Sequence, residues 1–192
     1  MQKNQKSTYE TLSAFDDKTG DLHVIIDTPK DSRNKYKFDE KLRLFKLGGV
    51  LPVGAFFPFD FGYIPSTLGG DGDPLDVLVL MDEPAFVGCL IPSRLIGVIA
   101  AEQTEEDGKK ETNDRLIAVA ANSRAHTDIK SLNDLNEMLV GEIEHFFVSY
   151  NEAKGKQFKS LGRFGAQKAK QIIEEGIKLY KKPKGATNAK KK

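Results

Sequence analysis

The chain has 192 residues, of which 39% are hydrophobic and 30% charged, with a single cysteine. That length supports one well-buried core and leaves little room for two. Its longest apolar stretches, Val77 to Met81 and Leu95 to Ala101, fall well short of the ~20 residues that cross a bilayer as a helix, so no membrane span is expected.

The polar start MQKNQKSTYE lacks the apolar core of a secretory signal, and Cys89 has no second cysteine to pair with. Both point to a reducing, cytoplasmic setting. The formal charge of +1 conceals an asymmetry: six lysines lie within 181–192, and without them the body stands at −5. Such an end reads as a solvated tail too poor in apolar area to fold, with RNA or an acidic surface as the alternative reading. The expected layout is one domain over residues 1–180 and a Lys-rich, disordered tail over 181–192.

In chain order, Leu22 to Ile26 is a short β-branched strand, Lys35 to Phe38 alternates, and Val77 to Leu80 is a buried-strand run. Arg94 to Ala101 and Arg115 to Ala121 are further strands. Turn chemistry separates them at Thr19-Gly20, Gly48-Gly49, Gly69 to Gly72 and the polar stretch Thr104 to Asp114. Helices come late. From about Asp134 the residues Leu135, Met138, Leu139, Ile143, Phe146, Phe147 and Tyr150 recur at helical spacing, with Asn133 or Asp134 as N-cap. A second helix from about Ala166 carries Ala169, Ile172, Ile173, Ile177 and Tyr180 on one face. Strands first and helices afterwards predict an α+β domain, mainly β, either a one-side-covered antiparallel sheet or a small barrel with helices outside.

The segment GGDGDPLDVLVL, Gly69 to Leu80, concentrates the carboxylates Asp71, Asp73 and Asp76 on a glycine-rich backbone stiffened by Pro74. So much negative charge is costly unless a cation neutralises it, and hard oxygen ligands in this number suit magnesium or manganese beside a phosphate substrate. A plain surface turn uses the same residue types. A calcium EF-hand is excluded, because its required glycine and glutamate fall on Asp76 and Asp82. No GxxxxGK[ST], GxSxG or HExxH is present, and His23, His126 and His145 are too scattered for a zinc site.

The run FPFDFGYIPSTLGGDGDPLDVLVL (Phe57 to Leu80), with RLIGVI (Arg94 to Ile99), RLIAVA (Arg115 to Ala120) and EIEHFFVSY (Glu142 to Tyr150), resembles the soluble family I inorganic pyrophosphatases in order and spacing, over Leu22 to Gly162. The resemblance implies a five-stranded OB-type barrel with C-terminal helices packed outside. It also implies a cytosolic homo-oligomer, a hexamer as in bacteria or a dimer as in eukaryotes. The implied activity is Mg2+-dependent hydrolysis of pyrophosphate to two orthophosphates, with Mn2+ or another divalent ion as an alternative. Asp71 and Asp76 then bind metal, while Asp73 orients the attacking water and takes its proton. Lys35, Tyr150 and Lys156 contact phosphate, Lys46 stands for the family's phosphate-binding arginine, and Arg115 for the basic residue of its D-x-K motif.

The match also carries departures. Asp27 stands for the family's glutamate after the first strand, Lys37 for an acidic residue, and Phe61 for a tyrosine. In the second acidic cluster the gapless match puts Gln103 and Asn113 on carboxylate positions, with Glu102 and Asp114 one residue away. In a strand such a slip turns the side chain to the other face, although a bulge restores it. Asp27, Glu102, Asn113 and Asp114 complete the candidate metal set. The aromatic run Phe56 to Tyr63 on an OB-type barrel also suits base stacking with single-stranded nucleic acid. No basic residue is interleaved in it, so packing is the expectation and no nucleic-acid partner is expected.

Overall fold

The computed structural model of the chain describes residues 8–182. In order they form α1 (Thr8–Thr11), β1 (Leu22–Thr28), β2 (Asn34–Asp39), β3 (Leu44–Val50), β4 (Asp60–Tyr63), β5 (Asp76–Leu80), β6 (Leu90–Thr104), β7 (Lys110–Thr112), β8 (Arg115–Ala120), a 3-10 turn (Leu132–Asp134), α2 (Glu137–Glu152), β9 (Gln157–Gly165) and α3 (Ala166–Lys181). A strand covered on both faces favours an apolar run, which β5 supplies from Val77 to Leu80 and β8 from Leu116 to Ala120, while β1 is apolar at Leu22 and from Val24 to Ile26 and also buries His23, Asp27 and Thr28. Alternate residues then serve two packing layers. Leu78, Leu80, Ile117 and Val119 meet Val140, Ile143 and Phe147 of α2. Val77, Val79, Leu116 and Ala118 share the other layer with Ala169 and Ile173 of α3.

Five strands close a ring in the order β1, β4, β5, β8, β6 and back to β1; all contacts are antiparallel except β5 with β8. This is the barrel the resemblance implies, with both C-terminal helices outside it. Closure is tight at Gly62, where a Cβ would stand 2.2 Å from the Ile25 carbonyl oxygen, so only glycine lets β4 approach β1. β6 continues past the ring to pair with β7 and β9. The β2–β3 hairpin is a separate sheet, fastened by the rings of Tyr9, Phe38 and Phe45.

The structure corrects several expectations. Gly48-Gly49 is not a turn but part of β3, whose partner β2 shifts register between Lys35 and Tyr36. The N-cap of α2 is Asn136, whose side chain accepts from the Met138 N–H, and Asn133 and Asp134 belong to the preceding 3-10 turn. The polar stretch after Thr104 holds β7, while β3, β4, β7 and β9 have no counterpart in the sequence reading. Lys181 closes α3, and residues 183–192, on which most of the tail expectation falls, lie outside the described residues. Among the described residues no helix is long and apolar enough to cross a membrane.

Candidate active site

A cleft of about 1050 Å3 opens between the loop leading into β5, the β2–β3 hairpin and the turn after α2. One wall is acidic. Gly72 adopts φ +85, the Asp73 N–H donates to the Asp71 carboxylate at 3.1 Å, and the Gly69 N–H donates to the Asp73 carbonyl at 2.7 Å. This folding turns Asp71, Asp73 and Asp76 into one space. Burial, and the charges of Asp76 and Asp73, push the Asp71 carboxyl above its usual range. Two cations answer that charge. Lys37 donates to both oxygens of Asp73 at 3.0 and 2.8 Å. Although partial burial works against it, the Asp73 hydrogen bond and charge, with Asp71 and Asp76 behind, hold Lys37 above the usual lysine range. Arg115, only 3% exposed, donates to Asp76 at 2.6 Å and to Asn113, and its guanidinium lies 4.8 Å from the Phe147 ring centroid.

The opposite wall is basic and aromatic. Lys35 donates to Asp27 at 2.7 Å and sits 4.2 Å from the centroid of the Phe61 ring. Phe61 therefore offers a π face where a tyrosine would also bring a hydroxyl. Burial pushes Asp27 up against the opposing pull of Lys35. Tyr150, on the last turn of α2, has its phenol pushed up to about 12 by burial. The next turn is tied to the Asn151 carbonyl by the N–H groups of Lys154 and Lys156, at 2.9 and 3.0 Å, and presents both side chains to the cleft. Lys156 pairs with Glu105 at 2.6 Å, which holds that carboxyl below its usual range.

Asp27, Lys35, Asp71, Asp73, Asp76, Asn113, Arg115, Tyr150 and Lys156 thus share one cleft. Three sequence candidates, Lys46, Glu102 and Asp114, do not line this cleft. Lys46 pairs with Asp39 at 2.6 Å on the hairpin, outside the cleft lining, and its hydrogen bond lowers Asp39 to about 2. Glu102 pairs with Lys110 at 2.8 Å. Asp114 accepts the Ala101 N–H at 3.0 Å and lines, with Asp71, Asp76 and Asn113, a smaller hollow of about 220 Å3 beside α3 rather than the large cleft. In the large cleft it is Gln103 and Asn113 that face inward, with the Asn113 amide donating to the Gln103 side-chain oxygen at 3.0 Å. The cleft is also lined by Lys37, a departure from the family pattern, and by Lys154 and Glu105, which no motif in the sequence marks. Spacing was the available signal for Lys154, four residues after Tyr150. The aromatic run is largely packing, since Phe57 and Phe61 are buried, while Phe56 is exposed.

Residues 24–181 match the family profile described as inorganic pyrophosphatase. An inorganic pyrophosphatase of Synechocystis sp. is 38% identical over 164 residues, covering 85% of this chain and 94% of that protein. The enzyme of Geobacillus stearothermophilus is 37% identical over 172 residues, covering 89% and 99%. The crystal structure of inorganic pyrophosphatase from Thermus thermophilus superposes with a TM-score of 0.81 at 35% identity, covering 92% of this chain and all of that one. With the same ring of strands, the same outer helices and an acidic loop facing a basic wall, the chain belongs to the family I inorganic pyrophosphatases.

Proposed function

We propose that the chain hydrolyses inorganic pyrophosphate to two orthophosphates in this cleft. The observation that carries the reading is the meeting of Asp71, Asp73 and Asp76 with Lys35, Arg115, Tyr150 and Lys156 around one space. A polyanion needs cations on the phosphoryl being attacked and on the one that leaves, and its attacking water needs a base.

The family depends on divalent metal, and the first acidic cluster fits such an ion. Asp71 and Asp76 face the cleft and repel each other, which a cation relieves, and magnesium commonly takes one or two carboxylates plus substrate phosphate oxygens and waters. The second cluster does not fit, because Gln103 and Asn113 are amides that hydrogen-bond each other and bring no charge to a hard cation. Asp71 and Asp76 would hold a magnesium ion, which would lower the pKa of water and neutralise phosphate oxygens.

The chain's own groups do the rest. Asp73 takes the proton of the attacking water as its oxygen bonds one phosphorus, and the bridging oxygen departs with the other phosphate. Lys35, Arg115 and Lys156 bind phosphoryl oxygens, and the Tyr150 hydroxyl donates to one of them. Fixed charge positions the base, since Lys37 holds both oxygens of Asp73. Exposed Leu44, Leu47, Val53 and Phe86 supply apolar surface for a homo-oligomer.

A second reading is favoured by the same ion pairs: Asp73 closed by Lys37 and Asp76 by Arg115 suit a relative that keeps the phosphate cleft but has lost or redirected hydrolysis. Phosphate release from pyrophosphate with magnesium, beside ATP and a monophosphate ester, separates the two. Multiple turnovers selective for pyrophosphate support the main reading. Sub-stoichiometric release at high enzyme concentration leaves the second.

A further inference from the structure

The cations of the cleft are almost all paired. Lys35 is held by Asp27, Lys37 by Asp73, Arg115 by Asp76 and Lys156 by Glu105, at 2.6 to 2.8 Å. Lys154 is the contrast: it lines the same cleft, and no carboxylate lies within ion-pair distance of it among the described residues. Its ammonium donates to the Tyr150 hydroxyl and folds back to 3.9 Å from that ring's centroid, so the charged end is partly desolvated although the residue as a whole is exposed.

The groups facing Lys154 come from several elements. Lys35 of β2, Arg115 of β8 and Lys156 of its own turn repel it, and Asp76 of β5 works the other way. Partial burial, then these three cations, bring its ammonium down to about 8. A cation set among three others with no anion of its own is poorly stabilised by the protein alone. A multiply charged oxyanion relieves that repulsion, accepting from several donors at once.

Resting on the pyrophosphatase reading of the cleft, we propose that Lys154 is a phosphoryl-binding residue that donates, beside Tyr150, to a non-bridging phosphate oxygen. It lies outside the positions that the family match assigned, and it gives the basic wall a third lysine. Because the free ammonium titrates near the working range, phosphate affinity falls as the pH rises through about 8. Capping of the α2 C-terminus by a positive charge is the competing role, and it involves no ligand.

The test titrates inorganic phosphate calorimetrically into the full chain, with and without magnesium, at pH 7 and pH 9.5. Wild type, Lys154→Gln and Lys154→Arg are compared, and pyrophosphate hydrolysis by wild type is followed in parallel. Loss of one hydrogen bond to a charged group predicts a phosphate Kd raised about 10- to 100-fold in Lys154→Gln at pH 7. Wild type weakens between pH 7 and 9.5, whereas Lys154→Arg holds its affinity because a guanidinium does not titrate there. Unchanged phosphate binding in Lys154→Gln, with only its melting temperature shifted, overturns the proposal in favour of helix capping. A pH-dependent loss that persists equally in Lys154→Arg overturns the titration assigned to it. Lys154-dependent phosphate binding without pyrophosphate turnover supports the site and refutes the reaction instead.

Discussion

Lys37 stands where a divalent ion would otherwise be the main counter-charge to the acidic loop, so removing it should tighten metal binding by an amount that follows from its position. The pair is open to solvent, with 59% of the Lys37 and 57% of the Asp73 side chain exposed, so the surroundings are water-like. At about 5 Å in water, a unit-charge pair interacts by roughly 0.8 kcal/mol, or about 1.7 kcal/mol between an ammonium and a divalent ion. Physiological salt screens this by about half, to roughly 0.9 kcal/mol. Lys37→Gln should therefore lower the Kd for magnesium or manganese about 5-fold, and Lys37→Glu, which reverses the charge, about 20-fold. Isothermal titration with either ion, without substrate, reads this directly. In 1 M salt, where the screening length shrinks to about 3 Å, most of the gain should vanish. Equal affinity in all three proteins, or weaker binding by Lys37→Glu, would refute the idea that Lys37 and a metal ion compete as counter-charge to the acidic loop.

Three further outcomes follow from the cleft and its supports. Asp73→Asn should lower kcat by at least about 100-fold while leaving magnesium affinity within a few-fold of wild type, because Asp71 and Asp76 remain; steady-state kinetics and titration together check it. Asn113→Asp should lower the magnesium concentration for half-maximal rate, whereas Asp114→Asn should be nearly silent, since Asp114 is turned to the α3 side and engaged with the Ala101 N–H. Glu144, which takes a two-pronged contact from Arg163 and is held below the usual range chiefly by it, ties α2 to β9. Because this carboxyl is depressed in the fold, its contribution is present above the unfolded glutamate value of about 4.3 and is lost as the pH falls through the lower folded one. Glu144→Gln should accordingly cost about 0.5–1 kcal/mol at pH 7, as measured by urea unfolding, and progressively less toward pH 3.

How much was legible in the sequence depended on whether chemistry or packing decided a residue's place. The runs Val24 to Ile26, Val77 to Leu80 and Leu116 to Ala120 announce β1, β5 and β8 because strands buried on both faces are apolar along most of their length. The β3 and β9 strands were missed because each contains two glycines, which as single residues signal turns, and tertiary pairing overrides that signal. At the site, the aspartates were legible through loop chemistry, and Lys35, Tyr150 and Lys156 only through resemblance. Lys46 stands outside the cleft lining for a physical reason: the β2–β3 hairpin gives it a local partner in Asp39. Pairing across folded walls, such as Lys37 with Asp73, thirty-six positions apart in the chain, leaves no local trace at all.

The long strand β6 has a consequence for how the molecule is made. It pairs with β1 at its start, β8 along its middle, and β7 and β9 toward its end, so its neighbours are drawn from Leu22 to Gly165. Only the short hairpin with β7 is local. On a ribosome the ring cannot close before Ala120 has emerged, and the outer edge of β6 waits longer still, for β9. Until then the nascent chain carries unpaired, apolar strand edges, which favours association with chaperones or with itself. Loop-closure entropy must be overcome before such distant pairings stabilise anything, so refolding is slow for a protein of this size. The same arrangement makes unfolding cooperative: β6 cannot leave without dissolving every neighbour. The acidic loop before β5 and the basic turn after α2 therefore separate together with the barrel rather than one at a time.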